Sequence, residues 1–77
     1  MQPDYKTRDI YLASYLVMSG IALSSLEKDG KRFSFIFKGD EKIKLLTDDF
    51  YNRKVRVEPM EYSIAMKQVK SQMYNFS

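Results

Sequence analysis

The residue pattern predicts a small α+β domain, a three-stranded and mainly antiparallel sheet packed against helices in the order α-β-β-α-β-α. Three observations carry that prediction. A helical period runs from Arg8 to Ser19 and stops at Gly20. Phe33, Phe35 and Phe37 alternate just after an Asp29-Gly30 dipeptide. Near the C-terminus, Tyr62, Ala65, Met66, Val69, Met73 and Phe76 recur at the spacing of one helix face. With 77 residues there is room for a single domain, residues 1–77, and no second core.

In the first helix, Thr7 is placed to cap the first turn and Asp9 suits the positive end of the helix dipole. Gly20 stands where a helix commonly ends in a left-handed residue. Ile10, Leu12, Ala13, Leu16 and Val17 make one broad core face, while Tyr11, Tyr15 and Met18 fall together on the other side. A hairpin follows, from Ile21–Lys28 to Arg32–Lys38, with Asp29-Gly30 as a two-residue turn. That loop sets Lys28 opposite Lys31, and Ala22, Ser24 and Leu26 opposite Phe37, Phe35 and Phe33. Small residues then face large rings.

Gly39-Asp40 ends the strand, and Asp40 caps a second helix reaching about Tyr51. Its apolar stripe is Ile43, Leu46 and Phe50, and Asn52 is placed to close it in the left-handed conformation. Lys54-Val55-Arg56-Val57 alternates as a short third strand with the valines inward. Glu58 then caps the last helix, with Pro59 at its first position.

Taken together, Thr7-x-Asp9-x-Tyr11-Leu12-Ala13-x-Tyr15-Leu16, the Phe-x-Phe-x-Phe strand, Phe50-Tyr51-Asn52, Val57-Glu58-Pro59 and Val69-Lys70-Ser71 resemble an uncharacterised family of small single-domain bacterial and phage proteins, catalogued as a domain of unknown function. The resemblance spans nearly the whole chain. The family more often carries Asp before the Pro, where this chain has Glu58. It implies a phage or mobile-element accessory protein, and brings no activity or site residue with it.

Composition narrows the chemistry. The chain has no His, the usual general base near neutral pH, and no Cys, so thiol nucleophiles and disulfides are excluded. Without either residue the common zinc sites are not expected. Gly20, Gly30 and Gly39 are scattered, so there is no phosphate-cradling loop. Asp48 and Asp49, neighbours on a helix, point about 100° apart and read as a solvated face, and Asp40-Glu41 reads as a helix start. No catalytic, metal or cofactor residue is assigned, and neither an enzyme activity nor a small-molecule substrate is expected. The opening Met1-Gln2-Pro3-Asp4-Tyr5-Lys6 lacks the apolar core of a secretory signal, and the run from Ile10 to Met18 is far short of a membrane span. The expected compartment is the cytoplasm.

Two constellations remain as candidate sites. Tyr11, Tyr15 and Met18 form an amphipathic patch suited to a protein partner or a second copy, or else a face covered within the fold. Arg32, Lys38, Lys54 and Arg56 would share a sheet face if the second and third strands pair, and would then meet nucleic-acid phosphates; otherwise they keep turns and edges soluble. With a net charge of +3, phosphate binding is permitted but not demanded. An interaction module is the leading expectation and a phosphate-backbone binder the alternative.

Overall fold

In a computed structural model, which describes residues 3–76, the chain forms a three-stranded antiparallel sheet and three helices. The elements run β1 (Tyr5–Thr7), α1 (Ile10–Met18), β2 (Leu23–Asp29), β3 (Arg32–Phe37), α2 (Lys42–Tyr51) and α3 (Pro59–Asn75). β3 lies in the middle, flanked by β1 and β2, and both pairings are antiparallel.

The α+β class holds, but the third strand is elsewhere. Lys54–Val57 joins no ladder; the second edge of β3 is taken by β1, with Tyr5 opposite Phe37 and Thr7 opposite Phe35. The order is therefore β-α-β-β-α-α. The alternation read at 54–57 survives as a half-buried Val55 and Val57 beside an exposed Lys54 and Arg56, in a connector without strand partners.

The hairpin is also shifted. Asp29 pairs with Arg32, so the two-residue loop is Gly30-Lys31. Gly30 has φ +63°, and Lys31 is not among the positive-φ residues, as in the turn that puts glycine first. Leu26 faces Phe35 and Lys28 faces Phe33, whose ring centroid is 5.5 Å from the Lys28 ammonium. Further along, a bulge between Leu23 and Ser25 lets Leu23 reach Phe37 and brings Leu23 and Leu26 to one face in spite of their odd spacing. The small-against-large pairing expected for Ala22 and Ser24 is thus replaced by leucines packed on the rings.

The three phenylalanines face inward as their alternation requires: Phe35 and Phe37 are fully buried, and Phe33 is half-buried with its edge on the Phe76 ring. They meet Leu12, Ala13 and Leu16 of α1, Ile21, Ile43 of α2 and Val69 of α3 in one core. On the outer sheet face, Lys6 of β1 and Glu27 of β2 form an ion pair of 2.7 Å that reaches across β3, where their partners are Ile36 and Ser34.

Helix α1 begins two residues later than its period implies, because Asp9 rather than Thr7 is the cap. One Asp9 carboxylate oxygen accepts from the amides of Tyr11 and Leu12, while the Thr7 hydroxyl accepts from the Asp9 amide. At its end Gly20 (φ +92°) donates to the Val17 carbonyl, and the Ile21 amide to Leu16. Helix α2 closes with the same two bonds, Arg53 to Phe50 and Lys54 to Asp49, but its left-handed residue is Arg53 (φ +59°); Asn52 keeps a φ of −86°. Glu58 caps α3 as expected, its carboxylate accepting from the Glu61 amide behind Pro59. No helix among the described residues is long and apolar enough to cross a membrane.

Candidate functional site

The aromatic trio of α1 is divided by the packing. Tyr15 is only 9% exposed and lies against the Phe50 ring at a centroid distance of 5.5 Å. Met18 is half-buried, and only Tyr11 stands in solvent. The five consecutive residues Leu12 to Leu16 are all buried, so α1 is a central helix covered on every side. Even the Ser14 hydroxyl is satisfied inside the helix, donating to the Ile10 carbonyl at 2.8 Å. Tyr15 therefore belongs to the core, and the trio makes no continuous open patch.

The basic set is also divided. Arg32 lies at the hairpin tip and Lys38 just past the other end of β3, about 20 Å away along an extended strand. Lys54 and Arg56 are on the α2–α3 connector, so no shared sheet face gathers the four, although all are exposed. What the fold does assemble is a short basic connector. Arg53, Lys54 and Arg56 are exposed on it, and none forms an ion pair among the described residues. Val55 and Val57 of the same connector are half-buried.

Near the start of α1, phenols from α2 and α3 anchor the helix, the first of them on Asp9. Its second carboxylate oxygen accepts from the Tyr51 phenol at 2.7 Å, and the Tyr62 phenol donates to the Tyr11 carbonyl at 2.8 Å. The hydrogen bond to Asp9 is the main reason the Tyr51 phenol is pushed up to about 12. Burial first, then the Asp9 charge, raises Tyr62 as well. Both phenols stay protonated donors at neutral pH and hold helices together; neither is poised to move a proton.

One surface was missed by the sequence reading. On α3, Met60, Ile64 and Tyr74 are exposed by 65%, 49% and 80%. At helical spacing they fall with Lys67 and Ser71 within about 80° of each other, directly opposite the side that carries Ala65 and Val69. Ile64, Lys67, Gln68, Ser71 and Gln72 line a shallow groove along it. The signal was present as a second apolar recurrence, but it hides among the polar residues that separate it.

A family model for a domain of unknown function, DUF5659, matches residues 2–75 of the chain. The chain belongs to that family. Neither a curated protein nor a solved structure matches it. DUF5659 membership agrees with the resemblance read from the helix and hairpin motifs, and adds no catalytic or ligand residue to them. Among the described residues of this DUF5659 domain, no group of acidic side chains converges in the way a metal ion needs.

Proposed function

We propose that this domain is a non-catalytic interaction module that docks on another protein, or on a second copy of itself, through the outer face of α3. The supporting observation is the exposed Met60–Ile64–Tyr74 stripe on a 17-residue helix whose opposite side is already committed to the core. Methionine and tyrosine are enriched at contact surfaces because they offer large area with few rotatable bonds or ready adaptation. The reading replaces α1 with α3 as the contact element. In it the protein is a cytoplasmic accessory factor of a phage or mobile element, in keeping with the absence of Cys and the family resemblance.

The test is association with and without the stripe. Ile64→Glu combined with Tyr74→Ser should leave the circular dichroism spectrum unchanged and abolish concentration-dependent association in light scattering, or capture of a partner from the host. If the parent neither self-associates nor captures a protein that the double variant loses, the α3 reading fails.

A second reading, binding to nucleic-acid phosphates, is favoured by the unpaired cations of the connector. Arg53, Lys54 and Arg56 would contact the backbone without reading bases. Affinity for duplex DNA should then fall with salt, with a log–log slope of roughly −0.9 per phosphate neutralised. Lys54→Ala with Arg56→Ala should flatten that slope by about two. Absence of binding at low salt removes this reading.

A further inference from the structure

The exposed residues of α3 follow a stricter rule than sharing a face. Met60, Ile64, Lys67, Ser71 and Tyr74 are separated by four, three, four and three positions, a mean of 3.5. That is the spacing of a seam which stays in contact with a second helix along its whole length. The shape of the surface agrees. Ile64, Gln68 and Gln72 form one ridge at four-residue intervals, Lys67 and Ser71 form another, and the groove runs between them. A ridge of side chains on a partner helix fits a groove of this kind, and the short side chain of Ser71 lets it come close.

Charge decides which helix. Lys67 stands at the centre of the seam, seven residues from Met60 and seven from Tyr74, exposed and with no ion pair among the described residues. Lys70, beside the seam, is exposed and unpaired in the same sense. The one acid of α3 is Glu61, six residues from Lys67 and so about 9 Å away along the axis. A second copy of α3 is therefore a poor occupant. Paired over the full seam, parallel or antiparallel, it sets Lys67 against its own counterpart and leaves two like charges inside the contact. A helix with an acid at that position removes the conflict, and one charged residue in an otherwise apolar seam fixes partner and register.

We infer, building on the α3 docking reading above, that this face binds an amphipathic helix of another protein, with an acidic residue facing Lys67 and apolar residues facing Ile64 and Tyr74. The probe is a labelled synthetic peptide as long as α3, with leucine at four seam positions and glutamate at the central one. It is titrated with the full chain and followed by fluorescence anisotropy and by gain of helical dichroism. Saturable binding with a gain of helix is expected, about tenfold tighter than for the same peptide with lysine at its centre. A peptide with proline beside the central residue, unable to stay helical, should not bind. Lys67→Glu, a change at an exposed position, should reverse the preference in favour of the lysine peptide, and Ile64→Glu should lose both peptides. Equal affinity for the two peptides, or a preference that Lys67→Glu leaves in place, would overturn the inference.

The association assay of Ile64→Glu with Tyr74→Ser reports on the docking reading separately. Stripe-dependent self-association in a parent that ignores the glutamate peptide would put a second copy on α3 and overturn the acidic helix alone. No peptide binding and no stripe-dependent association would end both.

Discussion

Helices α1 and α3 both carry apolar residues on two sides, yet one is enclosed and the other is half bare. In α1 every residue from Leu12 to Leu16 is buried, including a serine, because the helix has partners around its whole circumference. In α3 only Ala65 and Val69 are buried, and Met60, Ile64 and Tyr74 face water. The difference teaches that a second apolar face on a helix has no fixed meaning. In the middle of a small domain it is core, and on the outside it is free surface.

Substitutions at the two helices should separate these cases. The largest effect is expected for Tyr15→Glu, which places a charge against Phe50 inside the core. Unfolding at room temperature, seen as loss of the near-ultraviolet dichroism, is the expected result, because burying an unpaired charge costs a large share of a margin of about 4–11 kcal/mol. A folded variant would return Tyr15 to the surface and undo the comparison. Ile64→Glu, the same kind of change on α3, should shift stability by no more than about 0.5 kcal/mol in urea titration. A loss of several kcal/mol would mean that the outer face of α3 is covered after all.

A smaller contrast concerns how the two shorter helices end. α1 and α2 close with the same pair of backbone hydrogen bonds, but α1 uses Gly20 and α2 uses Arg53 at the left-handed position. A non-glycine residue there costs about 1 kcal/mol or more. Arg53→Gly should therefore stabilise the domain by up to about 1 kcal/mol, whereas Gly20→Ala, with open space around the new methyl but the same backbone penalty, should destabilise it by a similar amount. Thermal melts of both variants check the signs. An exposed arginine kept in a strained conformation is also the connector residue most worth replacing in a phosphate-binding assay.

The smallest effect is the pH dependence of the Tyr51–Asp9 tie between α2 and α1. Its phenol is raised from the usual 10 to about 12 in the folded chain, so between those values the folded state holds a proton that the unfolded state has released. Stability carried by this bond is fully present below pH 10 and lost as pH rises towards 12. Tyr62 shifts in the same direction and adds to the slope. Tyr51→Phe should be less stable than the parent at neutral pH and should lose less on going to alkaline pH. An unchanged alkaline slope would show that this solvent-exposed bond contributes nothing.

Much of this fold is legible in local pattern. The existence of the hairpin and of the three helices, the inward face of Phe33, Phe35 and Phe37, the Glu58-Pro59 start of α3 and its core stripe all follow from periodicity and capping chemistry, which act within a few residues. The candidate sites were less legible. The Tyr11–Tyr15–Met18 trio was a correct helix face but not an open one, since coverage depends on Phe50 and α2, more than thirty residues away in the chain. The α3 stripe could have been read from its spacing, but not its exposure.

What the sequence by itself determined is therefore which residues share a face; what only the tertiary structure decided is which face meets which. Two short segments bear on the third strand: Tyr5–Thr7, which the structure uses, and Lys54–Val57, whose alternation predicts it. The first won the free edge of β3, where Tyr5 and Thr7 meet Phe37 and Phe35 and Lys6 reaches Glu27 across the sheet. The second follows the left-handed turn at Arg53 and runs as a connector into α3. Likewise the bulge at Ser24, invisible as a pattern, reset the hairpin so that Leu23 and Leu26 cover the rings. Strand pairing and coverage are contacts between distant parts of the chain, and local periodicity carries no information about which distant partner arrives.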